Sequence, residues 1–245
     1  MERHVYDRMR DIEQTHWWFT ARREVLSAEI ASLDLPAKPQ ILEVGCGTGG
    51  NLRMLAHFGS ACGLEPDPAS RRYAADQTGI EVIEGSLPDT PKRLRGRFDL
   101  VAAFDVVEHV ADDKAGLAAL RDLIKPGGRL IVTVPAHPWL WSSHDEAHHH
   151  HRRYRQESFR DLLDGAGLEI VRLSYFNTAL FPVIALARLL KPVLGGRGND
   201  DEITGPRWLN WILHRIFAAE ASWLRRTDLA FGVSLLAVAR RPISP

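Results

Sequence analysis

The sequence predicts an α/β protein with a doubly wound, mostly parallel seven-stranded sheet. Three observations carry that expectation. An apolar run at 40–44 passes straight into a glycine-rich turn and then a helical pattern. Strand and helix patterns then alternate as far as residue 134, which is how a parallel sheet with helices on both faces is written. Two further strand patterns, at 168–175 and 233–239, complete a set of seven.

Taken in order, residues 1–38 read as an N-terminal cap of two helical pieces ending at Pro36 and Pro39. Trp17, Trp18 and Phe19 form an aromatic knot there, followed by Arg22 and Arg23. The preferred reading packs these rings on the core, and the alternative is a lid over a substrate pocket. The rest, 39–245, reads as the main domain. Strands are expected at 40–44, 61–65, 81–84, 99–104 and 129–134, and helices at 50–58, 68–77, 113–123 and 156–165. The connection between the last two strands is far longer than a hairpin turn, so 176–228 is expected to be a helical insertion. Trp208, Trp211, Ile212 and Phe217 fall mostly on one helical face of it. Such a stripe reads first as core; a membrane-surface helix is the alternative.

Bulk numbers exclude several classes. Thirty-one basic residues balance thirty-one acidic ones, so no nucleic-acid partner is expected. Cys46 and Cys62 are the only cysteines, too few for a disulfide framework, which points to a reducing cytoplasm. The first residues lack the apolar region of a signal peptide, and no run reaches the ~20 apolar residues needed to span a bilayer. A cytoplasmic protein is expected, with peripheral membrane contact left open. The sequence sets no oligomeric state.

The chemistry starts at Ile41, Leu42 and Val44, a short buried strand followed by Gly45, Gly47 and Gly49. Gly45, Gly47 and Gly50 also satisfy the G-x-G-x-x-G spacing of dinucleotide sites. Glycine lets backbone press against a ligand, and the helix that follows aims free N–H groups at the turn. Glu43 lies inside the strand, where a carboxylate is costly without a partner. Glu65 ends the next strand, a position suited to holding both hydroxyls of a ribose.

Glu43, Gly45, Gly47 and Gly49 resemble motif I of class I S-adenosylmethionine-dependent methyltransferases of the small-molecule type. The likeness continues through 84–88, 97–109 and 123–135, and covers about residues 40–135. It implies the Rossmann-like methyltransferase fold, with the last two strands at an antiparallel edge, and S-adenosyl-L-methionine as cofactor. On that resemblance, Glu43 supports the methionine ammonium, and Gly45, Cys46, Gly47 and Gly49 supply close backbone contact. Glu65, with Pro66 beside it, holds the ribose. Ser86, Leu87 and Phe104 frame the adenine, Asp105 and Val106 line the methionine side, and His109 forms a wall. Ser86 departs from the family, which often has an acidic residue there to accept from the adenine amine.

The acceptor is expected to be a small-molecule or lipid-like compound methylated on O, N or C. His144 and His148 are the candidate general bases. Trp17, Trp18, His109, Trp141, His149 and Tyr154 are candidate substrate contacts. A solvated polar loop is the competing reading of the His-rich stretch. A metal site, with imidazoles and Asp145 as ligands, is a third and less favoured reading, because consecutive histidines of an extended chain cannot all converge; no metal is assigned. The alternatives to a methyltransferase are an NAD-dependent oxidoreductase, favoured by the glycine spacing, and a non-catalytic S-adenosylmethionine-binding scaffold.

Overall fold

The computed structural model describes residues 10–190 and 205–243. The first nine residues of the expected cap and residues 191–204 of the expected insertion lie outside them. Among the described residues, seven strands form one sheet: β1 (Gln40–Val44), β2 (Ser60–Glu65), β3 (Val82–Glu84), β4 (Phe98–Phe104), β5 (Ile124–Pro135), β6 (Glu169–Phe176) and β7 (Ser234–Arg240). Their order is β3-β2-β1-β4-β5-β7-β6, parallel except for β7, which runs antiparallel to both neighbours. The order reverses between β1 and β4, the switch point beyond whose strand ends an open α/β sheet binds its ligand.

Side chains alternate across the sheet with a period of two, and the two cores follow from that. Leu42, Val44, Val101, Ala103, Leu130, Val132, Leu235 and Ala237 face one way. They meet α4 (Asp113–Leu123) through Leu117 and Leu120, and α6 (Gln156–Gly165) through Phe159 and Leu163. Ile41, Leu100, Ala102, Ile131, Leu236 and Val238 face the other way, against α1 (Trp17–Ala31). That helix buries Trp17, Ala21, Val25, Leu26 and Ile30, the i, i+4 stripe of a helix lying on a sheet. Between the glycine turn and β3 stand α2 (Leu52–Ala56) and α3 (Pro68–Thr78). Asp67 caps α3 by accepting from the Ser70 N–H, and Gly79 closes it in the left-handed conformation.

The segment after β6 carries α7 (Phe181–Leu190), α8 (Arg207–Ala218) and α9 (Glu220–Leu224). Phe217 is fully buried, edge-on to Trp17 and stacked on Phe176, while Asn210 Oδ1 accepts from the Trp17 N–H at 2.8 Å. The aromatic stripe expected to be core therefore divides. Phe217 alone is buried, and Trp208 and Trp211 are each 63% exposed. The reason is geometric. Helix α8 lies on α1 at the margin of the sheet, so only its inner edge meets the core. No helix among the described residues is long and apolar enough to cross a membrane.

Candidate active site

The C-terminal ends of β1, β2 and β4 open into one cavity of about 450 Å³. On one wall lie Gly45, Gly47, Glu65, Pro66, Ser86 and Leu87, continuing through Phe104, Asp105 and Val106. Gly47 has φ +52°, and a Cβ added to it would meet nothing within 4 Å, so its backbone is open to the cavity. Gly49, at φ +86°, serves packing instead. An added Cβ there would stand 2.9 Å from the Ala74 Cβ, where α3 rests against the turn. Cys46 is buried with Leu52 and Ala74, and burial pushes its thiol far up. Neither Gly49 nor Cys46 lines the cavity.

Glu65 is 3% exposed. Its Oε2 accepts from the Gly47 N–H and its Oε1 from the Asp67 N–H, each at 2.9 Å. Two backbone donors orient the carboxylate, and burial raises its pKa against their opposing pull. Glu43 shares the face of Ile41 by the period of two and, at 1% exposure, does not line the cavity. Its Oε1 accepts from Asn51 Nδ2 at 2.8 Å, and its Oε2 is buried without a hydrogen-bond partner among the described residues. Burial pushes this carboxyl up to about 8.

The same alternation explains a residue whose role the sequence did not reveal. Thr133 lies on the face of Ile131, beneath α1, and Arg22 of α1 reaches it. The Arg22 Nη2 donates to Thr133 Oγ1 at 2.8 Å and pairs with Asp105 Oδ2 at 2.7 Å. Thr133 Oγ1 in turn donates to Asp105 Oδ1. Asp105 takes φ +55°, uncommon for a residue with a side chain, and this network holds it there. The Arg22 guanidinium also lies 4.8 Å from the Trp18 ring centroid and 5.6 Å from that of Phe104. Trp17, Trp18 and Phe19 all reach the cavity wall, so the N-terminal helix both packs on the core and roofs the site.

On the opposite side His109, His144, His148 and His150 come together with Glu108 and Arg153. Consecutive histidines diverge along an extended chain, but this chain is not extended. Helix α5 (Ser143–Ala147) starts at a capping box between Ser142 and Asp145, and past its end His149 turns at φ +54°. His144 and His148, one helical turn apart, stack with centroids 4.1 Å apart, while His150 packs edge-on against His109 at 4.6 Å. Burial first, and the neighbouring imidazoles second, push His109, His144 and His148 down to about 3. These rings are neutral at physiological pH, and His144 and His148 are weak bases for proton abstraction, since an effective base titrates near the working pH.

His150 stands differently. It shares a 2.8 Å hydrogen bond with Asp145 Oδ1 through its Nδ1. Burial pushes the Asp145 carboxyl up, but the bond from His150 and the Arg153 guanidinium at 2.8 Å outweigh it and hold Asp145 well below the usual range. Glu108 is fully buried, and neither of its carboxylate oxygens has a hydrogen-bond partner among the described residues. Burial, with Asp105 nearby, raises its pKa strongly. Trp141, His149 and Tyr154 do not line the cavity. Trp141 is 40% exposed, His149 is carried away by its turn, and Tyr154 is buried in the core with its hydroxyl donating to Asp113.

Arg22, Glu108, His150 and Arg153 line the cavity without having been expected there from sequence. The only signal for Glu108 was its position just after β4, and for His150 its place in the histidine run.

Comparison with known proteins agrees with this architecture. A family model described as a methyltransferase domain matches residues 18–173. Among curated relatives, the biotin biosynthesis bifunctional protein BioCD of Bordetella avium is 35% identical over 136 residues, 54% of this chain and 29% of that protein. The ubiquinone biosynthesis O-methyltransferase of Cereibacter sphaeroides is 35% identical over 100 residues, 39% of this chain and 40% of that one. These matches thus span less than half the length of either relative. Among solved structures, geranyl diphosphate C-methyltransferase from Streptomyces coelicolor superposes with a TM-score of 0.60 at 16% identity. That superposition covers 88% of this chain and 75% of that one. The family match displaces the nicotinamide-dependent alternative: the chain belongs to the methyltransferase-domain family of class I S-adenosylmethionine-dependent enzymes.

Proposed function

We propose that this chain binds S-adenosyl-L-methionine against Glu65 and the glycine turn and methylates a small-molecule or lipid-like acceptor. One observation carries the reading: a single cavity joins a wall of Gly47, Glu65, Ser86 and Leu87 to an aromatic and histidine-lined chamber. The residues present fit the cofactor. Glu65 is pre-oriented by two backbone N–H donors, which leaves each of its oxygens a lone pair for a ribose hydroxyl. The buried, unpartnered Glu43 Oε2 suits a ligand ammonium, directly or through water. Ser86, Leu87 and Phe104 enclose the space for adenine, with Ser86 offering a neutral hydroxyl.

The cofactor, when bound, supplies an electrophilic methyl group on sulfonium, so the protein's own contribution is alignment and exclusion of water. Trp17, Trp18 and Phe19 roof the reacting region, and Arg22 fixes Asp105 and the end of β4. The relative named as an O-methyltransferase favours oxygen as the accepting atom. A lipid-like acceptor is supported by the exposed Trp208 and Trp211 on α8.

Calorimetric titration with S-adenosylhomocysteine tests the cofactor half, with NAD in parallel. Micromolar binding of the former alone is expected, and Glu65→Ala should abolish it while the circular dichroism spectrum is preserved. Unchanged affinity in Glu65→Ala would refute the ribose assignment.

A further inference from the structure

Of three donors on the acceptor side, Glu108 and His150 have no assigned role and His109 only that of a wall or substrate contact. Glu108 and His109 sit on a 3-10 turn, Val107–His109, directly after β4. His150 arrives from the strap that follows α5, and the next residue of that strap donates its N–H to the Glu108 carbonyl at 2.8 Å. One ligand atom from each of Glu108, His109 and His150 lies within 4.8 Å of the other two. Both Glu108 oxygens are buried without a hydrogen-bond partner among the described residues, and its side chain is fully enclosed. A carboxylate in that setting is costly unless a cation or donors meet it. His150 Nε2 is 4.0 Å from Glu108 Oε1.

We infer that Glu108, His109 and His150 form a binding site for a divalent first-row transition-metal ion, with its open coordination side facing the acceptor chamber. Two imidazoles and a carboxylate match zinc, iron, cobalt or manganese, whereas magnesium and calcium favour all-oxygen sets. Three protein ligands with an open position are the arrangement of catalytic rather than structural metal centres. His150 is already prepared for this role. Asp145, held as a carboxylate by Arg153 and the Ser142 N–H, accepts from its Nδ1. That leaves the Nε2 lone pair turned toward Glu108, and such a carboxylate–histidine pair is the usual support behind a metal ligand. Donors around a tetrahedral ion stand about 3.4 Å apart, so binding would draw these three together by roughly an ångström.

The acceptor class follows, and this half rests on the methyltransferase reading. A hydroxyl oxygen occupying the open position would be deprotonated more readily than in bulk, because the ion stabilises the alkoxide or phenolate. Its proton would leave to water as the acceptor enters, before the chamber closes. The oxygen would then form its bond to the methyl carbon as the carbon–sulfur bond of the sulfonium breaks to leave a thioether. No imidazole base is then required. The acceptor is therefore an alcohol or phenol.

The test uses the full chain, stripped with chelator and titrated with cobalt(II) without any nucleoside. One equivalent per chain with visible d–d absorption is expected. His109→Ala and His150→Ala should each weaken uptake by about 100-fold or more, and Asp145→Asn by about 10–100-fold through loss of the carboxylate behind His150. Absence of stoichiometric uptake would overturn the site, as would uptake unchanged in both histidine variants. If either alanine variant loses its fold by circular dichroism, His150→Gln and His109→Gln carry the same comparison. Acetohydroxamate, a small oxygen-donor probe, should alter the cobalt spectrum; an unaltered spectrum would overturn the acceptor assignment. Titration with S-adenosylhomocysteine is run separately, so a chain that takes cobalt but not the nucleoside refutes the cofactor reading and leaves the metal site standing.

Discussion

Two glutamates placed on adjacent strands have opposite surroundings, and the contrast is chemically useful. Glu65 is met by two N–H donors, whereas Glu43 has one donor and one bare oxygen in a fully buried setting. With its carboxyl pushed up to about 8 by burial, Glu43 is mostly protonated at pH 7 in the free protein. A ligand ammonium beside it would favour the carboxylate, so binding must expel a proton. Calorimetry of S-adenosylhomocysteine binding at pH 7, in buffers of different ionisation enthalpy, should show close to one proton released, and none in Glu43→Gln. Equal release in both proteins would remove Glu43 from the ammonium site. Stability follows the same linkage. The folded pKa is raised, so Glu43 contributes most below pH 4.5 and its contribution is lost as pH climbs through about 8. Glu43→Gln should flatten that decline.

At the scale of elements, what was legible followed from period. The apolar run of Ile41, Leu42 and Val44 located β1, and the glycine turn located one wall of the cavity. The roofing role of Trp17 and Trp18 was legible only as an alternative, because a helical stripe does not say whether its end overhangs a pocket. The convergence of His109 with His144, His148 and His150 was not legible. It depends on α5 ending in a left-handed turn at His149 and on a strap anchored to Glu108, much earlier in the chain. Nor was the exposure of α8, which is set by its docking on α1 through Asn210 and Trp17, far apart in sequence. That exposure makes a prediction of the element itself. Trp208, Trp211 and Trp223 are exposed, with Arg207, Arg215, Arg225 and Arg226 interspersed, the composition of an interfacial surface. The chain should sediment with anionic vesicles at low salt, and Trp208→Ala with Trp211→Ala should reduce the bound fraction several-fold. No sedimentation of the parent chain would remove the membrane surface as the source of a lipid-like acceptor.

The whole molecule is held together by a tie that crosses every layer on the α1 side. Arg172 of β6 donates from Nη1 to both oxygens of Glu29 on α1 at 2.9 Å. Its Nε pairs with Asp228 and its Nη2 donates to the Thr227 carbonyl, both past the end of α9. N-terminal helix, edge strand and insertion thus share one guanidinium. Glu29 is 2% exposed, and burial raises its pKa despite the arginine. Removing Arg172 leaves that carboxylate buried without its cation, a change that typically costs about 3–5 kcal/mol; protonation of Glu29 relieves part of it. Arg172→Met should therefore lower unfolding free energy by about 3 kcal/mol near pH 8. The loss should shrink toward pH 5, because the unpaired Glu29 titrates higher still and a raised folded pKa favours the fold at low pH. Adding Glu29→Gln should recover much of the deficit at high pH, since no charge is then stranded. Urea denaturation of the parent, single and double variants at both pH values measures all three effects. A pH-independent loss that the second substitution does not rescue would mean that Arg172 acts through its packing and its carbonyl bonds rather than through Glu29.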